Sequence, residues 1–186
     1  MGLPALVASP QLAVGIELTW LGGGSWVARA CQLRRAGAVV TVQQQASGLL
    51  DLPALVAALG PEPGPVALVL AGRGLVLRTL AGPALVPDAA QVAALLPGTN
   101  PADFYCQYAP GPTQTLVALV RRAPVQELLA ALAEAGLWVL AVQLGPLGLP
   151  ELLPYLPADA HLEPLPAGPF LVQLTPDGQH LRGGHS

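Results

Sequence analysis

Charge is scarce in this chain: 10% of its 186 residues are Asp, Glu, Lys or Arg, against roughly 25% in an ordinary soluble domain. Lysine is absent, all eight basic residues are arginine, and the formal net charge is −3. Nothing supplies a basic face to neutralise phosphates, which argues against a nucleic-acid partner. Aromatics are also few, and the two cysteines, Cys31 and Cys106, form no Cys-x-x-Cys and stand beside no histidine. A zinc site is therefore not expected, and a thiol-reducing compartment fits. His161, His180 and His185 lie in Pro/Gly-rich or terminal segments with no carboxylate spaced to orient a base. There is no Ser-His-Asp set, no pair of catalytic carboxylates and no P-loop, so no enzymatic machinery is expected. A long apolar run is missing too. The best window, Leu128 to Leu149, carries Glu134 and is broken by Gly136, Gly145 and Pro146, whereas a spanning helix needs on the order of 20 apolar residues. Met1 to Pro10 has no positively charged start and carries Pro4, unlike a secretory signal. The chain reads as cytosolic.

What is abundant is apolar residues, 53%, punctuated by 21 glycines and 21 prolines. The punctuators fall between apolar blocks, where they mark turns. Residues 12–18 and 25–34 read as strands joined by the glycine-rich loop 21–24, and 38–45, β-branched and partly alternating, as the third strand of a meander. Asp51 is an N-cap, with Pro53 in the first turn and Leu52, Leu55, Val56 and Leu59 at helical spacing until Gly60 and Pro61. The continuous run Pro65 to Ala71 predicts a strand buried on both faces. Beyond Gly72-Arg73-Gly74 come a strand at 75–80, a helix at 88–96, strands at 103–109 and 114–121, and a helix at about 124–135 capped by Gly136. That last helix shows an apolar face of Val125, Leu128, Leu129 and Leu132. Trp138 to Leu144 reads as another core strand and 149–156 as a short helix. Residues 157–169, rich in proline, read as a linker, and the tail as a hairpin turning at Asp177-Gly178.

Four stretches carry a family likeness. They are Val14-Gly15-Ile16-Glu17-Leu18; Val66 to Leu80; Asn100 to Arg122, with Phe104, Tyr105, Gln107 and Tyr108 ahead of the strand Leu116 to Val120; and Pro124 to Leu144. In order and spacing they resemble the actin-like proteins of bacterial type IV pilus and type II secretion platforms, namely PilM and the cytoplasmic domain of GspL. The resemblance spans roughly residues 12 to 150. It implies a mixed α/β fold of the actin-like, ribonuclease H-like type. Residues 1–74 and 137–156 would form the N-terminal lobe and 75–136 an inserted β-α-β-β-α subdomain. Residues 157–186 would be a linker and hairpin, the remnant or start of a second lobe. It also implies a non-catalytic scaffold at the cytoplasmic face of the inner membrane. Such a scaffold binds the cytoplasmic tail of a bitopic partner, PilN-like or GspM-like, and couples it to a GspE-like motor ATPase; self-association is left open.

The alternative is a nucleotide-binding member of the actin superfamily. Such a site needs a carboxylate to orient Mg²⁺ and tight turns whose backbone N–H groups face phosphate. The candidate residues are Glu17, Thr19, Gly23, Gly24 and Gly72. Glu17 stands where the family has Asp, and Thr19 where it has Gly, followed by a bulky Trp20 that would hinder approach of phosphate. The run Gly22-Gly23-Gly24-Ser25 reads as an anion nest or as a plain hairpin turn, and Gly72-Arg73-Gly74 as an anion holder or a tight turn with an exposed Arg. No bound cofactor is expected, and ATP with Mg²⁺ is disfavoured. For partner binding the candidates are Tyr105, Gln107, Arg121 and Arg122. Strand alternation puts Tyr105 and Gln107 on one face and Phe104, Cys106 and Tyr108 on the other. An exposed Tyr105 beside an edge strand suits capture of a peptide by strand addition, core packing being the plainer role. Arg121-Arg122 suits an acidic contact on the motor or a solvated strand end.

Overall fold

The computed structural model describes residues 12–37, 39–82, 86–111 and 113–148, and the backbone of two further strands, 165–167 and 170–172. Three strands open the chain: β1 (Leu12–Gly22), β2 (Ser25–Ala36) and β3 (Val39–Leu49). They pair antiparallel as the expected meander. Helix α1 (Leu52–Leu59) starts where Asp51 accepts a hydrogen bond from the Ala54 N–H at 2.8 Å, and Gly60 ends it. Strand β4 (Val66–Gly72) lies parallel to β1. Next come β5 (Val76–Ala81), α2 (Ala89–Leu95), β6 (Phe104–Pro110), β7 (Gln114–Arg121), α3 (Arg122–Glu134) and β8 (Val139–Leu144).

The strands build a five-stranded sheet in the order β3-β2-β1-β4-β8 and a three-stranded sheet in the order β5-β7-β6. The smaller sheet comes from chain between β4 and β8, two neighbours in the larger one. Its middle strand joins two cores. Ala118 and Val120 of β7 belong to the main cluster with Val14, Ile16 and Leu18 of β1, Leu68 and Leu70 of β4, Leu55 of α1 and Leu132 of α3. Val117 and Leu119, on the other face, pack with Val92 and Phe104. Among the described residues, strand β7 is thus the one buried on both faces.

The expectation of two-sided burial for residues 65–71 is corrected. Val66, Leu68 and Leu70 are buried, but Ala67 is exposed and Val69 half-buried. The core with α1 and α3 lies on one side of β4, and among the described residues the other side has no covering layer. Local signals served better at helix ends. Gly136, at φ 80°, closes α3 with the Leu137 N–H bonded to Leu132 O and its own N–H to Ala133 O. This is the paired arrangement of a left-handed glycine cap, and Leu132 and Leu137, both buried, make its apolar contact.

In the tail, β9 (Leu165–Ala167) pairs antiparallel with β10 (Phe170–Val172). A strand therefore stands inside the segment expected to be a linker. The expected turn at Asp177-Gly178 and the short helix at 149–156 lie outside the described residues. No helix among the described residues is long and apolar enough to cross a membrane.

Candidate functional site

The glycine turns meet at one end of the large sheet. Parallel pairing of β1 with β4 sets Trp20 opposite Gly72 and carries the turn after β4 to the turn after β1. The Arg73 N–H donates to Trp20 O at 2.8 Å. Gly72, at φ 87°, sits so close to β1 that a Cβ would collide with the Trp20 carbonyl oxygen and stand 2.8 Å from its nitrogen. Glycine is required there by contact as well as by dihedral angle. Across the gap, the Arg73 side chain lies over Gly22, whose missing Cβ would be 3.2 Å from Arg73 Cδ. Gly22, Gly23 and Gly24 all take positive φ, and Ser25 Oγ donates to Gly22 O at 2.7 Å. This is a working hairpin turn with an arginine beside it.

The other nucleotide candidates stand apart from it. Glu17 is five residues before Gly22 on an extended strand, about 17 Å at about 3.4 Å per residue. It faces the uncovered side of the sheet, opposite Arg29 on β2 and Val69 on β4. There it helps line a shallow depression of about 610 Å³ with Gly15, Arg29, Cys31, Ser47 and Val69. Thr19 lies between the two places. Trp20, expected to hinder phosphate, instead pairs with Trp26 and packs partly buried against the core. Its ring is on the opposite face of β1 from Glu17 and Thr19, because successive side chains alternate. Among the described residues no three His, Cys, Asp or Glu side chains gather as a metal site.

The partner-binding candidates do come together, at the junction of the two sheets. Strand β6 ends the small sheet and β8 ends the large one. Gln107 reaches from one edge to the other. Its Nε2 donates to Val142 O at 2.6 Å, and its Oε1 accepts from the Leu144 N–H at 2.8 Å. One residue giving to position j−1 and taking from j+1 is the hydrogen-bond pattern of a parallel strand. A side-chain amide thus occupies the slot of a neighbouring strand on β8. Gln107 is a stitch between sheets, and its spacing in the sequence holds no hint of a partner 35 residues away.

Tyr105, expected as an exposed aromatic, is half-buried against the main core. The Arg122 guanidinium lies over its ring at 4.3 Å from the centroid, and Gln126 Nε2 donates to its hydroxyl at 3.4 Å. Arg122 Nε also donates to Phe104 O at 3.1 Å, and Arg121 stacks at 5.1 Å over Phe104. Both arginines keep exposed surface while framing the aromatic pair. On the opposite face of β6, partial burial pushes the Cys106 thiol above its ordinary pKa, because desolvation disfavours the thiolate.

Sequence reasoning missed Trp138 and Leu140. The run Trp138 to Leu144 was expected to be core, yet Trp138 is 71% and Leu140 60% exposed. The register of β4 against β8 jumps from Val66↔Val139 to Ala67↔Ala141, so Leu140 is a bulge that breaks the alternation. Gln143, the polar residue in that run, was the available signal of an open edge.

No family model matches the chain, and no curated protein does. Solved structures do. A chain of a PilM-PilN type IV pilus biogenesis complex superposes with a TM-score of 0.58 at 18% identity, covering 87% of this chain and 58% of that one. The cytoplasmic domain of EpsL, an inner membrane component of the type II secretion system of Vibrio cholerae, superposes with a TM-score of 0.49 at 16% identity. That match covers 71% of this chain and 57% of that one. The chain therefore spans somewhat over half the length of each, and the fold it shares with the PilM-PilN chain is the mixed α/β arrangement of two sheets described above.

Proposed function

We propose that this chain is a non-catalytic scaffold of a type IV pilus or type II secretion inner-membrane assembly platform. It works as an actin-like lobe whose inserted small sheet holds the cytoplasmic tail of a bitopic membrane protein and links it to the motor ATPase. The observation that carries the reading is the junction of the β6 and β8 edges, bridged by the Gln107 side chain and continued along β8 by exposed Leu140 and Trp138. Ahead of the Val142–Leu144 slot that Gln107 fills, the 138–141 stretch of the β8 edge is open to give an extended peptide its main-chain hydrogen bonds, and flanking aromatics give it side-chain contact. Tryptophan, tyrosine and arginine are also the side chains that dominate binding energy at such surfaces. The PilM-PilN similarity supports a membrane partner of the PilN kind.

Hydrogen exchange with and without a synthetic cytoplasmic tail of a bitopic platform protein tests the location. Slowed exchange in 104–110 and 138–144 supports the reading; slowed exchange confined to 22–25 and 72–74 contradicts it.

A second reading, nucleotide binding, draws on the meeting of Gly22-Gly23-Gly24 with Arg73. It predicts thermal stabilisation by Mg-ATP that Glu17→Ala abolishes. The separation of Glu17 from that turn weighs against it, since one Mg-phosphate group cannot span both.

A further inference from the structure

The two larger sheets have four outer edges, and each carries some defence against pairing with another chain, β3 the least. The β8 edge is occupied at its Val142–Leu144 end by the Gln107 amide and interrupted by the Leu140 bulge. The β5 edge is short, six residues, with exposed Arg78 in its middle. The β6 edge ends at Pro110 and is flanked by Arg121 and Arg122. Short length, charge, proline and covering groups are the devices that keep edge strands from pairing. Among the described residues strand β3 carries no charge, proline or covering group of its own; its defences are the register breaks at Gln43 and Gly48 and the neighbouring Arg34 and Arg35 of β2, and they leave the stretch Val39 to Val42 a regular ladder. The strand is 11 residues long, and residues 36–50 contain no ionisable side chain and no proline. Val39, Val40 and Val42 are 61%, 58% and 54% exposed, and Val39 to Gln45 are exposed on both faces of the strand. Among the described residues nothing covers this part of the β2–β3 hairpin beyond the contact of Gln44 with Ala58 O, and a two-stranded ribbon alone is marginal.

We propose that the β3 edge pairs antiparallel with β3 of a second copy of this chain, making one continuous ten-stranded sheet across a two-fold axis. The lack of charge identifies the occupant. Two-fold pairing sets a strand against itself, so any charged residue near the axis would meet its like, which is destabilising in directly opposed strands. An uncharged strand suits that partner, and Arg34 and Arg35, one strand back on β2, stand away from the seam. The valines, now in water, would pack against their symmetry mates.

Light scattering across a dilution series tests this. The expected mass rises from 18.9 kDa toward twice that value with concentration, and Val40→Glu with Val42→Glu returns it to 18.9 kDa at every concentration. Both positions are exposed, and the residue opposite Val40 in the hairpin is Arg35, which accepts a glutamate neighbour, so the double variant is expected to keep its melting temperature. As a check independent of the variant, hydrogen exchange of the wild-type amides 39–45 slows as concentration rises. Three outcomes overturn the proposal: a wild-type mass fixed at 18.9 kDa with unchanged exchange in β3, a dimer that survives the double substitution, or an open-ended series of larger species.

Discussion

Replacing Gln107 with alanine removes both hydrogen bonds of the stitch between β6 and β8. Each is worth about 0.5–1.5 kcal/mol net, and more if the partner left behind stays dry. The Val142 carbonyl and Leu144 N–H lie at a part-buried edge where water can replace the lost amide, so the lower half of that range applies. The expected loss is about 1–2 kcal/mol. In a domain of this size a loss of 1 kcal/mol lowers the melting temperature by about 2–4 °C, giving a fall of about 2–8 °C by calorimetry. Amide exchange should speed up locally at Leu144, whose N–H loses its acceptor. Gln107→Glu sharpens the test, because a carboxylate can accept from Leu144 but faces the Val142 carbonyl without a proton. It should restore protection at Leu144 and leave stability below wild type. An unchanged melting temperature together with unchanged exchange at Leu144 in the alanine variant would refute the stitch.

Other outcomes follow from the same geometry. Gly72→Ala forces a Cβ into the Trp20 backbone at positive φ; it should destabilise by several times the roughly 1–2 kcal/mol of the left-handed conformation alone, read by urea denaturation. Asp51→Ala removes the cap of α1 and should cost about 1 kcal/mol in the same assay. Cys106, with its pKa raised by burial, should be alkylated more slowly at neutral pH than an unhindered thiol, because less of it is thiolate. By linkage, the stability held in its protonated form is complete below the unfolded thiol pKa and is lost as pH rises through the folded value. Cys106→Ser should flatten that alkaline decline.

Much of the fold was legible in the sequence where a local signal decides the structure. Asp51 and Gly60 bounded α1, Gly136 ended α3, and the glycine turn at 22–24 joined β1 to β2, because caps and turns depend on residues within a few positions. What the sequence hid depends on distant chain. Apolar runs 65–71 and 138–144 both read as core, yet the burial of a strand's second face depends on what covers it, and apart from the single polar Gln143 nothing within either run records that. Gln107 read as a partner-binding candidate on the Tyr105 face, and its bonds to β8 follow from how two sheets abut. Each glycine turn could be found alone. Their meeting depends on the Trp20↔Gly72 register of β1 with β4, and that same register leaves Glu17 away from them.

The most direct test of the central proposal is a binding isotherm. A fluorescently labelled cytoplasmic tail of the bitopic platform protein is titrated with this chain, with Tyr105→Ala and with Trp138→Ala. Saturable binding by the wild type, weakened at least tenfold in each variant while both keep the wild-type circular dichroism spectrum, is the predicted result. Absence of saturable binding by the wild type to any platform tail, or equal binding by folded Tyr105→Ala and Trp138→Ala, would contradict it.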